Sequence, residues 1–335
     1  MSSAAARAGA DRVPTSGYLL VAVAASLFAW LGPLSRWAYE RGMEPLPFVA
    51  WRAAIGGLVL AVVVAVAAAR GRPLIRPWRL GRRQQVSLGL ATLMGLLLNM
   101  AIFAAFSRVT IALALLAFYT YPAMVAVVAI ALGREQPSRA TLLALVLALG
   151  GMAIVVAGGL DPAAGVVVDG IGVLLALGAA ASQTVFVTVS RDGYRSVPAD
   201  EAMTVILLGS AVGGAVAAIA VGGAAGLAEP LQRPELLPIV LAAGTLGAGI
   251  SSLMFLKGIR LIGGTRTGIL MLLEPVVAVG LAAALLGEAL RPVQLVGAAA
   301  ILGAALLLQR ATRSADGVED DAADDAAAIR VPGGP

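Results

Sequence analysis

The chain has 335 residues, of which 60% are apolar and 13% charged, and its mean hydropathy is +0.93. A soluble protein of this length could not bury so much apolar surface, so the excess must face lipid. The lack of cysteine and histidine excludes disulfides, thiolate nucleophiles, histidine-based triads and the usual zinc and haem ligand sets, and no cofactor is expected. The net charge of +5 does not indicate nucleic-acid binding, because the basic residues are scattered between apolar segments.

Ten apolar segments follow one another along the chain, and each approaches the roughly 20 residues that a spanning helix needs. They cover residues 17–37, 47–69, 85–107, 110–132, 140–158, 170–190, 202–222, 237–258, 267–287 and 292–309. The first is too long for a signal-peptide core and is followed by others, so we predict that it is retained. Continuous apolar runs exclude a barrel of short alternating strands. The sequence therefore predicts an all-α membrane protein with ten transmembrane helices.

Arginine is concentrated between spans two and three, at positions 70, 72, 76, 79, 82 and 83. Positively charged loops favour the cytoplasmic side, so ten spans place both termini in the cytoplasm. Residues 1–16 are then a cytoplasmic N-terminal segment. Residues 311–335, rich in aspartate and alanine, are expected to form a disordered acidic cytoplasmic tail.

An internal repeat relates the two halves of the chain. A shift of 153 residues aligns Tyr121-Pro122 with Glu274-Pro275 and keeps the spacing to Glu135 and Glu288, respectively. A shift of 155 residues aligns Ser35 and Tyr39 with Ser190 and Tyr194, which is a weaker match. We assign a first five-helix repeat to 17–159 and a second to 160–310. Because five is odd, the halves enter the membrane from opposite sides, and such inverted repeats bind solute near the midplane.

The pattern Phe118-Tyr119-Thr120-Tyr121-Pro122 running to Glu135, its counterpart Leu272-Leu273-Glu274-Pro275 running to Glu288, and Arg52 early in span two resemble the EamA-type members of the drug/metabolite transporter superfamily. The resemblance covers roughly residues 17–310. It implies a ten-helix carrier of the inner membrane, commonly an exporter of amino acids, other metabolites or toxic compounds. Expected partners are a small-molecule solute and the lipid bilayer, without nucleic acid, and a homodimer stays open.

Glu274 is the most informative candidate, because an ionisable group inside a span is costly unless it is paired, hydrated or protonated. It has a cavity or coupling role, or forms a structural ion pair. Lys257 could approach it across the hairpin, or anchor span eight on the positively charged side. Arg52 could extend outward or pair with an acidic residue such as Glu44.

Further candidates surround the two prolines. Pro122 and Pro275 should kink spans four and nine, either exposing carbonyls to solute or only shaping the helices. Tyr119, Thr120 and Tyr121 could supply polar anchors to a mostly apolar pocket.

Other polar groups inside spans could contact solute or bond neighbouring helices. They are Trp30, Asn99, Gln183, Ser251 and Ser252. Glu135 and Glu288 could pair with Arg139 and Arg291 at the membrane interfaces, or act in gating.

The function predicted is a secondary transporter that exports a small metabolite, such as an amino acid, or a drug by alternating access. No glycine-rich phosphate loop is followed by lysine, so ATP-driven pumping is not expected. A membrane-embedded enzyme acting on a lipid-linked substrate would need converging carboxylates. A non-transporting membrane subunit is the other alternative, although the chain offers no large surface outside the membrane.

Overall fold

The computed structural model describes residues 15–75, 79–106, 108–109, 111–134, 138–158, 169–222, 224–286, 291–308 and 310, and in these residues all regular structure is helical. The first half contains the helices Thr15–Ala29, Leu31–Glu40, Pro45–Ala69, Arg82–Phe106, Ile111–Phe118, Tyr121–Ala131 and Arg139–Gly158. The second half contains Gly170–Asp192, Ala199–Gly222, Leu237–Gly244, Ser251–Ile262, Gly264–Met271, Leu273–Leu286 and Pro292–Leu308. A short helix, Ala225–Gln232, and a 3-10 turn, Pro234–Leu236, connect spans seven and eight.

These helices form nine segments that are long and apolar enough to cross a membrane, and Pro292–Leu308 is a shorter apolar tenth. Pro45–Ala69, for example, has 25 residues, and at about 1.5 Å per residue it exceeds the roughly 30 Å hydrocarbon core. The predicted all-α membrane fold with ten spans in two five-helix repeats is confirmed. Residues 1–14, Glu135, Glu288 and 311–335 lie outside the described residues.

The apolar runs alone suggested continuous helices, but several spans are interrupted. Span four breaks between Phe118 and Tyr121, and span nine breaks at Leu272. Each break lies just before the predicted proline, because proline has no N–H and its ring crowds the preceding turn. Span one breaks at Trp30, and span eight contains a π-helical segment, Thr245–Ile250.

The packing of the spans obeys a two-fold relation between the halves. Span two packs on span seven, and span four on span nine, so each of these contacts pairs equivalent elements. The other large contacts also correspond in pairs. The packing of span three on span six corresponds to that of span eight on span one, and the packing of span four on span six to that of span nine on span one. The packing of span three on span seven corresponds to that of span eight on span two. Exchanging the halves therefore turns these large contacts into one another, as expected for homologous repeats.

Glycines allow backbones to meet across the interface between the halves. A Cβ on Gly249 of span eight would lie 3.2 Å from the Gly56 Cα of span two, and one on Gly56 would lie 2.8 Å from the Gly249 nitrogen. In the same way, Gly151 of span five and Gly297 of span ten would each place a Cβ 2.5–2.6 Å from the other's carbonyl oxygen. Small residues of this kind are the usual contact between membrane helices.

We call the end of the bundle that carries the loop after span two the arginine-rich face. There the Arg72 guanidinium lies 2.6 Å from Asp200 and 3.5 Å from Glu201, at the start of span seven. Arg260 donates to the Val197 carbonyl at 2.8 Å and lies 5.3 Å from the centre of the Tyr194 ring. These contacts tie the loop after span two to the start of span seven, and the end of span eight to the loop between spans six and seven.

Tyr194 lies in that loop, between the spans, and is fully buried. Burial raises the pKa of its hydroxyl to about 12. The hydroxyl shares a hydrogen bond of 2.5 Å with Ser190. The weaker repeat match aligned Tyr194 with Tyr39. Tyr39 lies at the end of span one, and Tyr194 directly follows span six, the first span of the second half.

The opposite face has contacts of another kind. The Trp51 indole donates to the Leu227 carbonyl at 2.9 Å, and Arg233 donates to the Arg41 carbonyl at 2.7 Å. An ion pair of 3.1 Å joins Arg108 to Asp169 and is partly solvated. The hydrogen bond from Arg108 lowers the pKa of the Asp169 carboxyl.

Candidate functional site

A cavity of about 230 Å³ lies between the two halves, lined by spans one, two, three, four, six, seven, eight and nine. Arg52 reaches it from about 10 Å along span two, and Glu274 from about 15 Å along span nine, as the helical rise dictates. The cavity therefore lies well inside the membrane-spanning region, and its wall is mostly apolar.

The lining residues are related by the same repeat as the helices. Twenty of them form ten pairs in which the two members are 153 to 155 positions apart. The pairs are Phe28 with Gln183, Leu31 with Phe186, Val49 with Met203, Arg52 with Ile206, Ala53 with Leu207, Gly95 with Ala248, Asn99 with Ser252, Ile102 with Phe255, Phe118 with Met271, and Tyr121 with Glu274. Both halves thus present the same backbone positions to one space.

Arg52 and Asn99 form the positively charged side of the cavity. The Arg52 guanidinium donates a short hydrogen bond to the Asn99 side-chain oxygen, from span two to span three. The Asn99 amide nitrogen donates to the Gly95 carbonyl at 2.7 Å, which fixes the orientation of the amide. The suggested pairing of Arg52 with Glu44 is wrong, because Arg52 points into the cavity and bonds Asn99.

Glu274 supplies the carboxyl group of the cavity, at the break of span nine. Tyr119 and Arg52 line the same cavity, from spans four and two. Tyr121, the repeat equivalent of Glu274, is fully buried beside the same cavity. The breaks before Pro122 and Pro275 therefore bring two related positions together.

Aromatic rings complete the wall between the charged sides. Phe186 and Phe255 stack with ring centres 6.4 Å apart, and Phe28 meets Phe255 edge-on at 6.3 Å. Phe118 contacts the Tyr119 and Tyr121 rings at 5.4 and 5.3 Å. Such a wall lowers the local dielectric constant, and a lower dielectric constant strengthens electrostatic interactions.

A family model described as the EamA-like transporter family matches residues 15–157 and 170–310. The chain belongs to this family. The two matched segments correspond to the two five-helix halves, and the resemblance to the drug/metabolite transporter superfamily is confirmed: the chain is a membrane transporter of this type.

The fold of this EamA-like transporter is also found among solved structures. One crystal structure, described only as that of a protein, matches with a TM-score of 0.73 and 22% identity. The match covers 90% of this chain and 98% of that chain, which shows a common fold. No curated protein sequence matches the chain significantly.

Seven of the predicted site residues line the cavity of the transporter: Arg52, Asn99, Tyr119, Tyr121, Gln183, Ser252 and Glu274. Four others lie elsewhere. Trp30 packs at the break of span one, the Thr120 hydroxyl donates to the Ala117 carbonyl at 2.6 Å, and Ser251 is fully buried beside the cavity wall. Lys257 is exposed and is not among the residues that line the cavity.

The two prolines act on the cavity through the backbone. Pro122 and Pro275 have no N–H for the carbonyls of Phe118 and Met271, which lie four residues earlier. Both of those residues line the cavity. The prolines therefore leave related positions of spans four and nine, both beside the cavity, without the usual hydrogen bond to the carbonyl four residues earlier.

The sequence analysis missed three features. Asp200 and Glu201 were assigned to a loop, although they are buried at the first turn of span seven with Arg72. Tyr39 is close enough to Arg52 to interact electrostatically. Phe186 and Phe255 carry no polar signal, and only their shift of 155 and 153 positions from Leu31 and Ile102 could have indicated them.

Proposed function

We propose that the protein is a secondary transporter that carries a small solute across the cell (inner) membrane through the cavity between its halves. The single observation that supports this is the set of ten repeat-related pairs lining one midspan cavity. A cavity shared by inverted repeats can open to either side when the two halves exchange conformations, which is the principle of alternating access. The proposal puts both termini in the cytoplasm, and the arginine-rich loop after span two supports this orientation.

The contacts at the two faces are candidates for the closures that open in turn. Arg72 with Asp200 and Glu201 would close the arginine-rich side, and Trp51 with Leu227 would close the other. Both closures join span two or the loop after it to span seven or the loop after it. They are therefore equivalent under the two-fold relation, which alternating access requires of its gates.

Export is the proposed direction, and an amino acid or a related metabolite, or a drug, is the proposed solute, as the family resemblance implies. Glu274 is the proposed coupling or solute-binding group, because it is the carboxylate of the cavity. A carboxylate that faces the two sides of the membrane in turn can bind a proton on one side and release it on the other, which would couple proton movement to that of the solute.

The test is counterflow of radiolabelled amino acids in proteoliposomes without ATP. We expect uptake in the wild type, and in Glu274→Gln a loss of at least roughly tenfold, as for one hydrogen bond to a charged group, or a flattened pH dependence. Glu40→Gln is the matched control, because Glu40 is exposed in an i,i+4 pair with Arg36 outside the cavity. Unchanged flux and pH profile in Glu274→Gln would remove Glu274 from the transport cycle, and no flux in the wild type would contradict transport of these solutes.

A further inference from the structure

Span eight contains a turn that its counterpart in the first half does not share. Span three is one α-helix over Arg82–Phe106, whereas span eight becomes a π-helix over Thr245–Ile250 and returns to an α-helix at Ser251. The Ser251 N–H bonds the carbonyls three and five residues earlier rather than the one four residues earlier. Turns of this kind are rare and occur mostly inside α-helices, frequently at functional sites.

Before the π turn, equivalent residues of spans three and eight are 152 positions apart. A Cβ on Gly209 of span seven would lie 2.5 Å from the Thr92 side chain of span three. A Cβ on Gly244 of span eight would lie 2.5 Å from the Ile55 side chain of span two. Gly209 and Ile55 are 154 positions apart, as are the cavity-lining residues of spans seven and two. Thr92 and Gly244 therefore occupy the same place in the two halves.

After the π turn, the separation of equivalent residues is 153 positions. Asn99 and Ser252 line the cavity at this separation, and so do Ile102 and Phe255. The π turn therefore accommodates one residue that span three does not have. In a continuous α-helix an extra residue would rotate everything after it by about 100°. The π turn absorbs the extra residue locally and keeps Ser252 and Phe255 on the cavity.

The hydroxyl of Ser251, next to the π turn, has no partner. Ser251 is fully buried, and in the residues that the structure describes its Oγ makes no hydrogen bond. Serine and threonine inside helices can bond the carbonyl four residues earlier, as Thr92 and Thr267 do at 3.0 and 2.7 Å. For Ser251 that carbonyl belongs to Gly247, within the π turn. A buried hydroxyl without a partner destabilises this register of the helix.

Close contacts on both sides of the π turn limit how far the extra residue can move. Gly244 packs against span two, and Gly258 packs so closely on Val21 of span one that a Cβ there would overlap it. If the whole remainder of span eight rotated by one residue, Lys257 would take the place of Gly258, which this contact forbids. The extra residue can therefore move only between Gly244 and Lys257.

We infer that the π turn of span eight moves along the helix during transport and exchanges Ser251 for Ser252 in the cavity wall. Once the extra residue lies beyond Ser252, the α-helix continues through Ser251 and places it where Asn99 lies in the first half, 152 positions earlier. The Ser251 hydroxyl then faces the cavity, while Phe255 keeps its place. The two registers are two discrete arrangements of one element. The inference rests on the proposed transport function and names a part that moves in it.

Cysteine labelling tests the exchange, because the chain has no cysteine of its own. Ser251→Cys, Ser252→Cys and Ala243→Cys are made singly, reconstituted in proteoliposomes and treated with methyl methanethiosulfonate, which reacts with thiolates and spares thiols buried in apolar surroundings. Ala243 is the control, because it is fully buried on span eight before the π turn. A second set of the three variants lacks Leu246, a partly exposed residue of the π turn. This deletion removes the extra residue and leaves Ser252 on the cavity in a continuous α-helix.

We expect Ser252→Cys to react fastest and Ser251→Cys to react at roughly 0.1–10% of that rate, the population of a typical minor conformation. Ala243→Cys should not react. Deletion of Leu246 should reduce the reaction of Ser251→Cys to the level of Ala243→Cys and leave that of Ser252→Cys unchanged. If the protein without Leu246 does not fold, judged by its melting temperature, Leu253 is deleted instead. Ser251→Cys should then react faster than Ser252→Cys, because Leu253 lies on the other side of the two serines.

The outcomes separate the inference from the function on which it rests, because labelling needs no solute. Reaction of Ser251→Cys no faster than that of Ala243→Cys, or equal reaction of Ser251→Cys with and without Leu246, would overturn the inference while transport stands. The deletion should also abolish most of the counterflow of the amino acids that the wild type carries, and unchanged counterflow would remove the exchange from the transport cycle. Absence of counterflow in folded wild-type protein would overturn both.

Discussion

Spans four and nine are interrupted at equivalent places but carry different side chains there. Both break just before a proline, and both turn the residue before that proline toward the cavity, but the residue is Tyr121 in one and Glu274 in the other. Span two and span seven differ in the same way, with Arg52 opposite Ile206. The repeat therefore builds a cavity with a symmetric backbone. Arg52 and Glu274 have no counterpart of the same type in the other half, so the polar groups of the cavity are not symmetric.

Moving the carboxylate between the halves gives the largest expected effect. Glu274→Tyr makes the two positions identical and should lower counterflow at least roughly tenfold, because a hydrogen bond to a charged group is lost. The double variant Tyr121→Glu with Glu274→Tyr returns a carboxylate to the cavity and should recover part of the flux. Counterflow in proteoliposomes measures both.

The double variant is informative only beside the single one. Recovery supports a cavity with equivalent positions, as the repeat-related lining predicts. If the double variant were as inactive as the single one while melting at the wild-type temperature, the two positions would not be equivalent in the transport cycle.

The glycine contacts between the halves come next in size. Gly249→Ala places a methyl group 3.2 Å from the Gly56 backbone, so spans two and eight must separate slightly. Overpacking of this kind costs about 1–3 kcal/mol, and we expect a lower melting temperature in detergent. Gly89→Ala is the control, because nothing lies within 4 Å of its Cβ position and alanine favours the helix. Equal melting temperatures for the two variants would show that the interface is not tightly packed.

The ion pairs at the two faces of the bundle should give an effect similar to that of the glycine contact on one face, and the smallest effect on the other. Arg72→Gln leaves the buried carboxylates of Asp200 and Glu201 without their cation, and we expect it to destabilise the protein by about 1–3 kcal/mol. Arg108→Gln removes the solvated pair with Asp169, so its effect should be small and weakened by salt. Melting temperatures at low and high salt measure the difference.

The pH dependence of the melting temperature tests the pair of Arg108 with Asp169. The pKa of Asp169 is lowered in the folded protein, so the stability that this carboxyl contributes is present above its unfolded pKa and is lost as the pH falls through the lowered value. The melting temperature of the wild type should therefore approach that of Arg108→Gln in acid. A difference that persisted when Asp169 is protonated would mean that Arg108 acts through other contacts.

Much of the fold was determined by the sequence itself. Apolar length set the number of the spans, since lipid accepts only helices whose backbone groups are bonded internally. The repeated Pro122 and Pro275 predicted the breaks of spans four and nine, and the shift of 153 positions placed Tyr121 and Glu274 at equivalent sites. The EamA-like family was indicated by the same residues.

Only the tertiary structure decided which polar residues share a space. Asn99 and Ser251 look alike in sequence as polar groups inside spans, yet Asn99 faces the cavity and Ser251 does not. Arg52 was expected at the surface or with Glu44, and it lies instead on the cavity with Asn99. Helix rotation and packing against the other half set these directions, and neither is encoded locally, because in a helix that is apolar all round no face is marked for the interior.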